Sequence, residues 1–582
     1  EHNLHGIDLD DRAVQLAQLG LYIKARKHDS QVKNLRFQIV SSDFYLPDYE
    51  AVRATFEAGQ NLDQNQKELI EEIWDDVKLA YKFGSLIQLE QKLQRKVEQL
   101  ITSQSAGQDD LFAHSELEAH RKFVADFLQK LKAAAEAHAR SSGNSFLSSK
   151  TRDAVTFIEL LTKSYDVATA NPPYTDSADF GEKLGEFVQK NYQKPHKFHI
   201  NLYATFIKQC YHLVGDEGKV AMVHPPTFMY IKTFEGVRKF IVENTHISLF
   251  VEWGYLGMFH PSARVDSALY VLEKSTEQSN DSTFIKLNNL YETKRYDALF
   301  EAYDALLESK PHKLLYSLPQ SKLKIIKSRP FIYWISDEFR EKFGDADIKS
   351  LLSPAQGAAT TNNLKYLRFW WEIDPSNISV DYGKDKKRWV VYAKGGPFEK
   401  WYGNLWLVGN YHNNASEMKA DGAVLRNSHL YFLKGVTYSA SGSKGASFRL
   451  LPKNCFFDTG GSCIFANKKF KNTYYLLGFM NSKLVAYLVD CLNPTVNAQV
   501  GDMQRVPFVL PFADAEEDVT KLVTQNVKVK KSLASNHFIE RGSRQYSFVS
   551  DANIAAFILA ENHLLTQVLL NEAIINEKIF EV

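Results

Sequence analysis

From residue 1 to residue 275, apolar runs of strand length alternate with runs at helical spacing, and the alternation breaks once, over residues 50–150. Nothing else in the chain constrains the fold as strongly. Strand–helix–strand repeats put neighbouring strands in parallel and helices on the faces of the sheet. "LHGIDLD" reads as a first strand. "DRAVQLAQLGLYIKAR" carries Val14, Leu16, Ala17, Leu19, Leu21 and Ile23 at helical spacing, with Asp10 or Asp11 as N-cap. "LRFQIVSSDF" is a second strand. Beyond the break, "YDVATA", "GKVAMVHP", "HISLFVEWG" and "VDSALYVLEK" read as strands, and "INLYATFIKQCYHLV" and "FEGVRKFIVENT" as helices. The last two strands have no long helix between them, which predicts a hairpin at the sheet edge.

At 582 residues the chain exceeds what one hydrophobic core supports, so several domains are expected. The expected fold class is α/β. A Rossmann-like sheet is formed from residues 1–49 and 151–275, with a helical insertion at 50–150. A helical connector follows at 276–350, then a mixed α/β domain at 351–512 rich in Gly, Asn, Trp and Tyr, and a helical segment at 513–582. The first residue is Glu1 and the first strand reads as already under way, so the chain reads as a piece of a longer protein. Cys210, Cys455, Cys463 and Cys491 form no CxxC pair and read as reduced, buried thiols of a cytoplasmic protein. His114, His120, His196 and His199 have no zinc-ligand spacing, and no metal is expected. No unbroken apolar run approaches membrane-spanning length, so no membrane partner is expected.

The sheet's chemistry should lie beyond the carboxyl ends of its strands. Three ends carry polar or aromatic residues: Asp8-Leu9, Asp43-Phe44, and Asn171-Pro172-Pro173-Tyr174 directly after "YDVATA". An acid ending the second strand of a nucleotide-binding sheet suits ribose hydroxyls, and an Asp-Phe pair one strand on suits an adenine amine and ring. In the proline turn, the Asn171 side-chain oxygen and the Pro172 carbonyl are acceptors with few competing donors nearby. Two acceptors converging on an exocyclic amine orient its lone pair, while Tyr174 offers a face for a planar base. The set fits transfer of a methyl group to an amine on a flat ring, driven by positioning.

These residues resemble the N6-adenine DNA methyltransferases with an NPPY motif whose target-recognition domain follows the catalytic domain. The resemblance implies a methyltransferase sheet using S-adenosyl-L-methionine. It makes Asn171, Pro172, Pro173 and Tyr174 catalytic; Asp8, Leu9, Asp43, Phe44 and Asn171 cofactor-binding; and Tyr174 and Phe259 the stacking partners of a flipped base. "SFRLLPKNCFFDTGGSCIF", "YYLLGFMNSKLVAYLV" and "NPTVNAQVGDMQRVPF" resemble recognition domains of restriction-modification specificity proteins. With the insertion, the arrangement is most similar to the PglX-type methyltransferases of BREX phage defence. That subfamily implies marking of one strand of a short site in a bacterial cytoplasm, double-stranded DNA and other BREX proteins as partners, and no nuclease. The family's glycine-rich cofactor motif would precede Asp8 and is absent from this chain.

Net charge is +1, so a basic surface must be local. Residues 365–453 hold 14 Lys/Arg against 7 Asp/Glu, with 16 aromatics interleaved. Lys386, Lys387 and Arg388 in "GKDKKRW", and Lys444 and Arg449 in "SGSKGASFR", are the expected phosphate contacts, with Gly442 and Gly445 letting backbone approach. The same residues leave open a methyltransferase acting on RNA or protein, and a DNA-binding defence scaffold with an incomplete cofactor site.

Overall fold

The computed structural model describes residues 2–33, 35–44, 48–50, 53, 64–89, 91, 129–130, 133, 145–260, 262, 264–275, 280–344, 348, 351–442, 444–495, 497–537, 539–541 and 554–582. Most of the predicted insertion at 50–150 lies outside them. The chain divides into two compact units, Glu1–Pro226 with Lys239–Gln320, and Thr227–Arg238 with Ser321–Val582.

The first unit is mixed α/β. Strands β1 (His5–Asp8) and β2 (Gln38–Ser41) pair in parallel, with Asp8 beside Ser41. The helix Asp11–His28 connects them, and Asp10 caps it by accepting from the Arg12 amide. Six further strands form one sheet: β3 (Tyr165–Ala170), β4 (Val214–His224), β5 (His246–Tyr255), β6 (Asp266–Glu273), β7 (Ser282–Lys286) and β8 (Leu315–Leu318). Their order is β3-β4-β6-β5-β7-β8. β3 and β4 are parallel, as the crossover helix between them requires, and β4–β6 and β5–β6 are antiparallel.

Two expectations are corrected here. The β5–β6 hairpin lies inside the sheet, because β6 inserts between β4 and β5, and β7 pairs in parallel with the far side of β5. Residues 276–350, expected to be a helical connector, supply β7 and β8 as well as the helix Arg295–Leu307. A third difference concerns packing. The helix Asp11–His28 buries only Val14, while Leu16, Leu19 and Ile23 stand exposed. β3 likewise has no strand on its outer side among the described residues, and Val167 on it is exposed.

The second unit holds two four-stranded sheets. One runs Leu367–Phe369, Leu407–Asn410, Trp389–Ala393, Cys455–Phe457; the other runs Phe448–Leu451, Gly435–Tyr438, Cys463–Ala466, Leu352–Ala355. Its large core joins the second sheet to the helices Thr473–Met480 and Lys483–Leu492 and to the paired helices Ala513–Ala534 and Ile554–Glu581. All four cysteines are buried, and none forms a disulfide. Among the described residues, Ile554–Glu581 is one helix long and apolar enough by composition to cross a membrane. It buries Val568, Ile575 and Ile579 in this core and joins Asn571 to Asn526 at 2.8 Å. The sequence shows no such segment as an unbroken apolar run because Glu561, Asn562, His563, Gln567, Asn571 and Glu572 interrupt it.

Candidate active site

β3 stops at Ala170, opposite Met222 of β4, and the turn Asn171–Tyr174 leaves the sheet at its carboxyl end. Prolines stop the strand because neither can donate to a ladder. Pro172 is buried, and Asn171 and Pro173 are exposed. The Tyr174 hydroxyl donates to the Asn171 side-chain oxygen at 3.0 Å and lies 3.5 Å from the Val223 carbonyl on β4. Partial burial raises the Tyr174 phenol above its ordinary range, so it stays a neutral donor at physiological pH. No donor among the described residues reaches the Pro172 carbonyl. Both acceptors named from the sequence are therefore present, and the Asn171 oxygen is held by a neighbour.

The far end of the turn is tied down. The Thr175 carbonyl accepts from the Leu202 amide at 3.0 Å, and Asn201 donates to the Asp176 carboxylate at 2.7 Å. Asn201 also caps the helix Leu202–Leu213 by accepting from the Tyr203 amide. One asparagine thus fixes both the turn and the start of the next helix.

Beneath the turn lies a group that sequence reasoning missed. His224 ends β4, is fully buried, and stacks on Tyr203 with centroids 4.3 Å apart. Its Nδ1 lies 2.9 Å from the Pro225 carbonyl and its Nε2 2.7 Å from the Tyr270 hydroxyl. A carbonyl only accepts, so Nδ1 carries the proton and Nε2 accepts from Tyr270. The signal available in sequence was a histidine closing an apolar strand, "VAMVHPP". Burial holds the imidazole down at about 4, against a smaller upward pull from the Pro225 carbonyl. The unfolded chain takes up this proton near pH 6.5 and the folded chain only near 4, so stability should fall as pH drops through that window. The loss is on the order of 3 kcal/mol, with no further change from this group below it. Urea midpoints between pH 7 and 4 should show the slope in the wild type, and His224→Gln should flatten it.

The residues expected to hold a cofactor fall into two kinds. Asp8 is exposed at the end of β1, and one carboxylate oxygen accepts from the Asp10 amide at 2.8 Å. Leu9 is exposed and lies over Gly84, where an added Cβ would stand 3.2 Å from it. Asp43 is exposed just beyond β2, its amide bonded to the Ser41 hydroxyl at 3.0 Å. Because β1 and β2 are parallel neighbours, both acids emerge at one end of the pair. They fit a ligand with vicinal hydroxyls and an amino group. Phe44 is different: it is buried, edge-on to Phe157 with centroids 5.1 Å apart. Its ring belongs to the core beneath Asp43, which corrects the expectation of an open stacking surface.

Phe259 lies in the loop between β5 and β6 and is exposed. The segment before it is clamped. The Arg295 guanidinium donates to the Tyr255 and Leu256 carbonyls at 2.6 and 3.0 Å, the Trp253 indole donates to Leu256 at 3.1 Å, and the Tyr296 hydroxyl donates to Met258 at 2.8 Å. Leu256 and Gly257 both adopt positive φ.

In the second unit, Lys386 is exposed with its ammonium 4.7 Å from the Tyr382 ring centroid, Lys387 is half-buried, and Arg388 pairs with Glu417 at 3.4 Å. Lys444 is exposed. Arg449 is fully buried, with its guanidinium 3.2 Å from the Ser439 hydroxyl and 3.5 Å from the Glu399 carbonyl. It is an internal strut and leaves the set of expected phosphate contacts. Among the described residues, no cluster of His, Cys, Asp and Glu could hold a metal ion.

Comparison with known proteins agrees with the resemblance read from the sequence. Residues 2–259 match the family model of the Eco57I restriction-modification methylase. The chain is 25% identical over 578 residues to the adenine-specific methyltransferase BrxX of Escherichia coli O9:H4 (strain HS), covering 95% of this chain and 45% of that protein. It is 24% identical over 593 residues to the adenine-specific methyltransferase PglX of Lacticaseibacillus casei (strain Zhang), covering 97% and 44%. The chain therefore spans a little under half the length of these relatives. Among solved structures, the Type IIL restriction-modification enzyme MmeI in complex with DNA gives a TM-score of 0.44 at 10% identity, covering 72% of this chain and 54% of that one.

Proposed function

Starting from a chain similar along nearly its whole length to adenine-specific methyltransferases, we propose that it carries the target-base site, and part of the cofactor site, of a site-specific DNA adenine-N6 methyltransferase. The observation that carries the proposal is the pair of acceptors, the Asn171 side-chain oxygen and the Pro172 carbonyl, on a proline turn at the carboxyl end of β3. A base extruded from duplex DNA can reach such a site only after unstacking, at a cost of a few kcal/mol. Lys386, Lys387, Arg388 and Lys444 supply the phosphate grip that offsets this cost. Asn171 and Pro172 accept the two hydrogens of the adenine amine and aim its lone pair. Tyr174 and Phe259 bracket the ring. The Tyr174 hydroxyl shares the Asn171 oxygen, which has a second lone pair for the amine.

Asp8 and Leu9 would hold the ribose side of S-adenosyl-L-methionine, Asp43 its adenine amine, and Phe44 the floor below. When bound, this cofactor supplies a methyl group on a positively charged sulfur. The amine nitrogen would take the methyl as the methyl–sulfur bond breaks and the sulfur leaves as a neutral thioether; the cationic nitrogen would then shed one proton to solvent, so the chain needs no strong base at this point. The PglX-type resemblance supports a reaction in the bacterial cytoplasm that marks self DNA in phage defence beside other BREX proteins.

The test is single-molecule sequencing of genomic DNA from bacteria with and without the gene for the full-length protein. A short motif carrying N6-methyladenine only in the first strain supports the proposal. Methylated RNA or protein with unmarked DNA assigns another acceptor, and the absence of any mark favours the scaffold.

A further inference from the structure

The helix Arg295–Leu307 lies on the outside of the first unit, and its inner face is accounted for. Ala302 is fully buried against Val251, Trp253, Ile285 and Leu287, with Ala298 and Leu299 packed alongside. The outer face is not what a solvated helix carries. Tyr296, Phe300, Tyr303 and Leu307 stand 49%, 62%, 43% and 67% exposed. Their spacing of four, three and four residues puts them in one row within about 60° of each other around the axis. Tyr291, just before the helix, is 79% exposed. These five side chains leave on the order of 500 Å² of apolar and aromatic surface bare, near the largest patch of an ordinary monomer and of the size that marks contact sites.

A second row runs beside the first. Asp297, Glu301, Asp304 and Glu308 repeat the same spacing one residue on, and all four are exposed. Only Glu308 has a cation partner among the described residues, Lys310 at 2.6 Å. Three carboxylates therefore line an aromatic strip without neutralisation. That pattern narrows the occupant. Nucleic acid is repelled by the acids. An anionic membrane surface is repelled in the same way. A second copy of the chain would bring its own carboxylate row into the contact. What remains is a segment with the complementary pattern, apolar residues at helical spacing beside a row of lysine or arginine.

We propose that the outer face of the helix Arg295–Leu307 is a docking surface for a partner protein that presents an amphipathic helix with an apolar row flanked by basic residues. The proposal does not depend on the chemistry at the Asn171 turn. The surface is joined to that half of the unit by Arg295 and Tyr296, which clamp residues 255–258.

The experiment uses the full-length protein and a synthetic helical peptide of about five turns, with leucines at the row spacing and lysines in the adjacent row. A control peptide carries glutamates in place of the lysines. Binding is read by fluorescence anisotropy. The lysine peptide should bind in the micromolar range and the glutamate peptide about tenfold or more weaker. Phe300→Ser should weaken the lysine peptide at least about tenfold, and the pair Glu301→Lys with Asp304→Lys should reverse the preference. All these residues are exposed, and unchanged circular dichroism would confirm that the variants fold. Equal binding of both peptides, or lysine-peptide binding indifferent to Phe300→Ser, would overturn the proposal. So would a dimer in sedimentation that Phe300→Ser dissolves, since it would give the face to a second copy.

Discussion

Methyl transfer by the full-length protein should fall about a thousandfold or more when Asn171 is replaced by alanine, with cofactor affinity changed far less. One preorganised polar group at a reacting centre is worth roughly a hundred- to a thousandfold in rate, and Asn171 supplies one of the two acceptors proposed for the amine. Its removal also frees the Tyr174 hydroxyl, whose bond to Asn171 is 3.0 Å long, to compete for the incoming amine. The fold should be nearly indifferent: Asn171 is exposed and ends no helix, and a single exposed hydrogen bond contributes about 1 kcal/mol or less. Single-turnover kinetics with tritiated cofactor, alongside equilibrium cofactor binding, separates the two effects. Loss of both together would show that Asn171 holds the cofactor and not the base. An unchanged rate would remove the turn from the chemistry.

Arg238→Ala should be the most damaging substitution for stability, lowering it by about 4–5 kcal/mol. Arg238 is fully buried in the second unit. Its guanidinium donates twice to the Ser328 carbonyl, at 2.9 and 2.7 Å, and to Phe228 and Ile231 at 2.7 and 2.8 Å. Ser328 and Arg329 both adopt positive φ, a conformation that costs non-glycine residues about 1 kcal/mol or more each. One planar fork therefore holds a strained turn and ties Thr227–Arg238 to it. Alanine takes both donors from the Ser328 carbonyl and one each from Phe228 and Ile231, the last of which keeps the Phe234 amide at 3.2 Å; a buried carbonyl left short costs about 1–3 kcal/mol. Lysine, a single ammonium on a flexible stem, should recover less than half. The cooperative thermal transition of the second unit should drop by roughly ten degrees in Arg238→Ala. A drop of only a degree or two would mean that water replaces the guanidinium.

What could be read in advance follows from the range of each interaction. Asp10 as a cap, the helix Leu202–Leu213, and the strand stop at Asn171 depend on neighbours a few residues away, and periodicity and proline report them directly. The place of β6 between β4 and β5 depends on pairing across the sheet, where no local pattern distinguishes an edge hairpin from an inner one. β7 is only five residues long and falls in a stretch dominated by a helix. Arg449 misled because a turn-like, basic context hid a strand. "SFRLL" lacks the polar–apolar alternation of a half-exposed strand, and that continuous run was the available sign that its arginine points inward. Phe44 misled for a related reason. Which side of a strand end an aromatic faces is decided by what packs there, in this case Phe157, more than a hundred residues away in sequence.

Among the described residues no strand pairs with the outer side of β3, and Val167 on it is exposed, which bears on how this polypeptide behaves in the tube. An unpaired strand edge beside an apolar side chain is a template for any other extended chain. Handled by itself at high concentration, the chain should accumulate as soluble oligomers and then precipitate. A lysine at position 167 should keep the isolated polypeptide in solution longer than any change of buffer.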